Sequence, residues 1–273
     1  MANDTTTADE VRDTVRDRYA DIAIKGRGCC AAAASTAQAV GYSARELAAA
    51  PEGANLGLGC GNPVALASLQ RGEVVLDLGC GAGFDAFLAA SAVGPDGRVI
   101  GVDMTPEMIA KAQENARKAG VGNAEFRMGT IEQLPVDDAC VDVVMSNCVI
   151  NLSPEKPRVF REAFRALKPG GRLLVSDIVL GAPLPECVRT SIEAYVGCVA
   201  GAALKSDYLE AIAAAGFSDV RVVKETSAAG LLVGAVPSDP LVAAVLAVVG
   251  DPDELRRLAA NVMSIAVSAR KSG

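Results

Sequence analysis

The chain has no histidine and no tryptophan, and aromatic residues make up only 4% of its 273 positions. Without histidine the commonest metal ligand and the commonest neutral-pH base are gone. Any ligand set must come from Cys, Asp or Glu, and any base from a carboxylate, Lys or Tyr. No C-x-x-C pair occurs, which opposes a local structural zinc site. Dense Lys/Arg tracts are missing too, and a net charge of −7 with a pI of 4.8 disfavours phosphate backbones and anionic lipid surfaces. Neither nucleic acid nor a membrane is an expected partner. The longest apolar stretch, residues 241–250, is too short to span a bilayer, and no charged segment followed by an apolar one opens the chain. The expected location is cytoplasmic.

What is present is 51% apolar residues, enough for one large α/β core with additions. There are also eight cysteines, which in a reducing compartment read as working thiols sooner than as a disulfide framework. Val11, Val15, Arg18, Tyr19 and Ile22 recur at helical spacing, predicting a first helix over 9–22. From Glu73 onward apolar runs at 74–78, 98–102, 124–128, 141–145 and 171–179 alternate with helix-like stretches. Two of these open on Thr-Pro or Ser-Pro, an N-cap followed by proline at the first helical position. Strands alternating with helices predict βαβ units and a parallel sheet. Beyond 179 the pattern predicts helices over 185–200 and 207–215, a strand over 219–223, an insertion with two helical pieces over 239–260, and a closing strand over 262–269. The last two strands would form the antiparallel edge of a seven-stranded sheet. The division expected is a helical arm (1–55), a core (56–180), and capping helices with edge strands and an insertion (181–273).

The run VVLDLGCGAGFDAFLAA places Asp77, Gly79, Gly81 and Gly83 between a strand and a helix, with Cys80 inside the loop. In dinucleotide folds two residues separate the second and third glycines. Here only Ala82 intervenes, a tighter loop that suits the amino-acid tail of S-adenosylmethionine (SAM) better than a diphosphate. Asp103 ends the second strand, where an acid can accept from both ribose hydroxyls, and Met104 follows it. Met128, Gly129, Thr130, Ile131 and Glu132 leave the third strand in position to flank adenine. Thr130 stands where many such enzymes carry Asp, so that contact is expected to rest on backbone groups and Glu132.

Cys148 after the fourth strand, beside Asn147 (itself an expected SAM contact), Cys198 after the fifth, and Cys60 in LGLGCGNP before the first are expected to converge on the same cleft. Cys140 and Cys187 read as structural or incidental. Free cysteine often simply packs. Three in glycine- or asparagine-marked segments point instead to a soft ligand. From these residues alone three readings stay open: methyl transfer to a thiol-bound soft element, methyl transfer to carbon or oxygen of a small molecule such as a quinone, and a non-catalytic thiol or SAM sensor.

With GCGNP, LDLGCGAGFDAFLAA, GVDMTPEMI, EFRMGTIEQLP, SNCVINLSPEKPRVFREAFRALKPGGRL and YVGCVAGA together, residues 11 to about 225 resemble the SAM-dependent arsenite methyltransferases. The resemblance implies a Rossmann-like, seven-stranded class I methyltransferase sheet. It implies arsenite or methylated arsenicals as substrates, SAM as methyl donor, and arsenic held by Cys60, Cys148 and Cys198. It also implies redox turnover through an N-terminal pair like Cys29 and Cys30, with a thiol reductant of the thioredoxin or glutathione type. One branch of that family opens on a paired-tyrosine motif, whereas this chain has only RYADIA around Tyr19; residues 226–261 are too generic to assign. Trivalent arsenic is soft, so thiolates are its preferred ligands. Its lone pair is already free, and methylation at arsenic therefore asks for no base, which accommodates a site without histidine.

Overall fold

The computed structural model describes residues 7–25, 33–191, 194–195, 197–227 and 252–273. Seven strands form one sheet: β1 (Val74–Leu78), β2 (Arg98–Asp103), β3 (Ala124–Met128), β4 (Val141–Asn147), β5 (Leu167–Leu180), β6 (Ser218–Ser227) and β7 (Val262–Arg270), in the order β3-β2-β1-β4-β5-β7-β6. The first five are parallel and β7 runs antiparallel between β5 and β6. The expected antiparallel edge is therefore present. It continues the same sheet across position 180.

Central strands are covered on both faces, which is why they read as unbroken apolar runs. Along β1, Val75 belongs to one core cluster while Leu76 and Leu78 belong to another, since successive side chains point to opposite faces. The first face is covered by helices α5 (Phe84–Val93) and α6 (Pro106–Ala119), through residues such as Phe87 and Ile109. The second is covered by α7 (Lys156–Ala166) and α9 (Lys205–Ala214), where Phe160 meets Tyr208 edge to face at 5.3 Å. Full burial of such side chains stabilises by about 1.5–3 kcal/mol each.

Helix α1 spans Ala8–Lys25, slightly longer than expected, and its start is set by a capping box between Thr7 and Glu10 (Thr7 N to Glu10 Oε2, 2.7 Å; Glu10 N to Thr7 Oγ1, 3.3 Å). Three short helices follow in the arm, α2 (Ala33–Val40), α3 (Ala44–Ala49) and α4 (Pro63–Leu66).

Several expectations need correcting. Thr105-Pro106 does open α6, but α7 begins at Lys156 with Glu155 as its N-cap instead of Ser153. The Ser153 hydroxyl is occupied elsewhere, donating to Glu132 Oε1 at 2.5 Å and accepting from Glu155 N at 3.1 Å. Strand β5 starts at Leu167 because the KPGG turn is absorbed as an irregularity between the Val141–Leu167 and Val143–Arg172 pairs. The helix expected over 185–200 does not run through: α8 covers only Glu186–Arg189, and Cys198 stands in a turn. In the C-terminal insertion, α10 (Pro252–Asn261) is described; the first expected helical piece lies outside the described residues, as do Cys29 and Cys30.

Candidate active site: an acid-floored cleft and three cysteines

Sheet order reverses between β1 and β4, and in open α/β sheets the crevice beyond that switch point is where ligands sit. The glycine loop occupies it. Gly79 has φ +64°, and a Cβ there would lie 2.2 Å from the Val149 side chain, so both the backbone and the space demand glycine. Gly83 is the N-cap of α5, aiming that helix's positive end at the loop. Asp103, at the end of β2, accepts from the Gly81 and Thr105 amides at 2.9 Å each. Burial raises its carboxyl, and these amides work against the rise.

Two further carboxyls make the cleft floor acidic. Asp77 is 2% exposed, and its Oδ2 has no partner. Burial first, then the charges of Asp85 and Asp103, push its carboxyl well above the usual range. Asp85, buried in the first turn of α5, accepts from Tyr42 Oη (2.5 Å) and Asn147 Nδ2 (2.9 Å) and is pushed up to about 6 by burial against those two bonds. Sequence reasoning missed Asp85 and Tyr42. The available signal was a lone acid inside the otherwise apolar helix FDAFLAASAV.

Of the other expected donor-binding residues, Cys80, Met104, Gly129, Ile131, Glu132 and Asn147 line the cleft together with Asp77, Gly79, Gly81 and Asp103, whereas Gly83 and Thr130 do not. Thr130 instead forms a bridge to Gln133, and Met128 is half exposed away from the cleft. The Glu132 carboxylate is already engaged by Ser153 Oγ and by Arg12 Nε at 3.4 Å, and the Arg12 guanidinium also pairs with Glu155. Its evident role is thus to tie α1 across the cleft, where Arg12, Val15 and Tyr19 form part of the wall.

The three cysteines cluster at this cleft: the Cys60 and Cys148 thiols lie within 4.8 Å of each other, and the Cys198 thiol meets the Cys148 carbonyl. The segment GCGNP is held locally by Asn62, which caps α4 by accepting from Ala65 N at 3.0 Å, with Pro63 at the first helical position. It is held at long range by Asn147, whose Oδ1 accepts from Cys60 N (3.1 Å) and Gly61 N (3.2 Å) and whose Nδ2 donates to Gly61 O (2.9 Å). Gly59 is needed because a Cβ would come within 2.6 Å of Asn147 Nδ2. Cys148 and Cys198 both adopt left-handed backbone, φ +59° and +64°, a strain that side-chain-bearing residues seldom carry without purpose. The Cys148 thiol interacts with both the Cys60 and Cys198 thiols, and the Cys198 thiol donates to Cys148 O at 3.0 Å. Tyr19 of α1 reaches the Cys198 thiol.

The thiols nevertheless face different spaces. Only Cys148 lines the acid-floored cleft; Cys60 lines a second cavity, and Cys198 lines neither. The tightest ligand set is Cys60, Cys148 and Asp177, whose donor atoms lie within 4.8 Å of one another, with Cys198 outside that set. Burial pushes the Cys60 thiol up to about 11. Cys148 and Cys198 are also held well above the ordinary value, Cys198 chiefly through its bond to Cys148 and then by burial. Asp177 is raised to about 7 by burial, opposed by the Ile178 amide, the Tyr208 hydroxyl and the Lys156 charge. It accepts from Asn151 Nδ2 (2.8 Å), Ile178 N (2.9 Å) and Tyr208 Oη (3.1 Å). The sequence signal for Asp177 was a single acid within the apolar run GRLLVSDIV, and it was passed over.

Residues 69–216, more than half of the chain, match the family described as a methyltransferase domain. An arsenite methyltransferase of Halobacterium salinarum is 50% identical over 240 residues, covering 81% of this chain and 61% of that protein. The crystal structure of an arsenic(III) S-adenosylmethionine methyltransferase from Chlamydomonas reinhardtii is 32% identical, covers 87% of this chain and 73% of its own, and superposes with a TM-score of 0.62. The chain belongs to the arsenite methyltransferase family. Relative to the curated members it is short, spanning 61% of the Halobacterium protein and 50% of the Aquipseudomonas alcaligenes one, which is 42% identical over 174 residues (61% of this chain). The family relationship agrees with the fold, a mixed sheet with β7 antiparallel, and among the described residues no helix is long and apolar enough to cross a membrane.

Proposed function

We propose that this chain transfers the methyl group of SAM to trivalent arsenic held by Cys60, Cys148 and Cys198, as an arsenic-detoxifying enzyme of the cytoplasm. The observation that carries the reading is the cluster of buried cysteines at an acid-floored cleft: Cys148 is in its wall, the Cys60 thiol lies within 4.8 Å of the Cys148 thiol, and the Cys198 thiol donates to the Cys148 carbonyl. The unpartnered Asp77 oxygen fits a cationic donor: a sulfonium and an ammonium group would restore the charge balance that burial denies to Asp77 and Asp85. Asp103 would hold the ribose, and the glycine loop the amino-acid tail. SAM supplies an electrophilic methyl.

The protein's own task is mostly alignment and exclusion of water. The left-handed backbone at Cys148 and Cys198 fixes where the thiols point, α1 covers the cleft, and the thiol trio holds arsenic with its lone pair free. No proton need leave arsenic for the transfer. Each transfer oxidises arsenic to the pentavalent state, so two electrons must return before the next. We assign that supply to a thiol reductant of the thioredoxin or glutathione type, with Cys29 and Cys30 as candidate relays.

Incubating the full chain with SAM, arsenite and a dithiol should yield methylated arsenic, and Cys148→Ser, which breaks the central link of the trio, should abolish every methylation step. Retention of methylation by that variant, or methylation of a quinone in place of arsenite, refutes the proposal.

A further inference from the structure

Cys60 stands in the wall of a cavity of about 300 Å³ that is separate from the donor cleft. The cavity is lined by the hydroxyl residues Ser176, Thr226, Ser227 and Ser264, with Lys224 beside them. Ser264 Oγ is committed, donating to Cys60 O at 2.8 Å. Ser176 is different: only 2% exposed, its Oγ has no partner. It sits where a side chain at position 61 would be, since a Cβ on Gly61 would come within 2.6 Å of that oxygen. A buried hydroxyl without a partner is costly. A small neutral polyol lodged in the cavity would remove that cost, because each of its hydroxyls can both donate and accept.

We propose that this second cavity is the entry and first holding site for trivalent arsenic, taken in as neutral arsenous acid, and that Cys60 is the first thiol to exchange onto it. The inference rests on the functional reading above. Arsenous acid carries three hydroxyls on a pyramidal arsenic and matches a pocket in which four hydroxyl side chains stand among apolar ones. In the exchange the Cys60 S–H bond and one As–O bond break, an S–As bond forms, and the thiol proton leaves with the displaced hydroxide as water. Arsenic stays trivalent, so no oxidant or reductant is consumed. The Cys148 thiol lies within 4.8 Å of that of Cys60 and makes the next exchange by the same balance, drawing arsenic from this cavity toward the cleft. The two spaces share only Val40 among their lining residues, so a donor bound in the cleft leaves this cavity open to arsenic.

The test is rapid mixing of the full chain with sodium arsenite at neutral pH, following the near-ultraviolet absorption of As–S bonds. Thr226, exposed on β6, can be enlarged without disturbing the core. Thr226→Trp should slow arsenic uptake about tenfold or more while leaving SAM affinity unchanged, which also reports that the variant is folded. Ser176→Ala should slow uptake several-fold, with Ser176→Thr restoring part of the rate. Wild type saturated with SAM should take up arsenic as fast as without it. An unchanged rate in Thr226→Trp, or strong slowing by SAM, overturns entry through this cavity while leaving the methyltransferase reading intact. If wild type develops no As–S absorption at all, it is the functional reading that falls.

Discussion

Asp77 offers the sharpest test of how this cleft works, because the same atom that weakens the empty protein should strengthen donor binding. Its Oδ2 is buried without a partner, which costs about 1–3 kcal/mol. In the folded chain burial and two neighbouring acids make Asp77 hold its proton more tightly than it does unfolded. The stability this group contributes is therefore complete at acid pH, below the ordinary carboxylate value, and is lost as pH rises through the raised folded value. Asp77→Asn removes the charge and with it the loss. The variant should match wild type near about pH 4 and become more stable as pH rises toward 8. Since about 2–4 °C of melting temperature accompanies each kcal/mol in a chain of this size, the gain should reach several degrees. SAM affinity should move the other way. Losing one charge-assisted bond, about 1.5–3 kcal/mol, weakens binding by about one to two orders of magnitude. Thermal melts across pH and calorimetric titration with SAM measure both arms. Equal or lower stability of Asp77→Asn at pH 8, or SAM affinity changed by less than about threefold, would refute the reasoning.

Asn147 links the Cys60 segment to the cleft floor, so Asn147→Ala should destabilise by about 2–4 kcal/mol, as several buried partners lose their bonds; urea unfolding measures it, and a change under about 0.5 kcal/mol would be inconsistent with this network. Arg12→Ala should free α1 from Glu132 and Glu155, raising amide exchange in residues 8–25 and weakening SAM retention, while a helix protected as in wild type would show that the ion pairs do not hold it. Asp85 is raised to about 6, so it becomes ionised as pH climbs through that value, and affinity for cationic SAM should improve between pH 5 and 7; a flat profile, or one falling with pH, speaks against an acidic floor.

Much of this protein is legible from local pattern alone. Buried parallel strands announce themselves as apolar runs, and the loop from Asp77 to Gly83 is defined by backbone angles and close approaches that glycine alone permits. The acid at Asp103 is readable for a similar reason, as its distance from the loop is set by one βαβ unit. What chain order does not contain is which side chains meet across it. Asn147 binds a segment 86 residues away, and Tyr42 closes on Asp85 from the arm. Asp177 joins Cys60 and Cys148 only because β4 and β5 are neighbours in the sheet. The same gap explains the misplaced helix around Cys198. Local spacing favours continued helix there, but Gly201 must pass so close to the Asn151 carbonyl that a Cβ would lie 2.4 Å from it, and Cys198 is turned into left-handed backbone to meet Cys148. The sequence by itself determined the fold, the glycine loop and the supply of soft thiols, since these depend on residue type and short-range spacing. Only the tertiary structure decided that the three cysteines come together, that Cys148 and Cys60 line different spaces, and that an acid stands beside them, since those facts depend on packing between segments far apart in the chain.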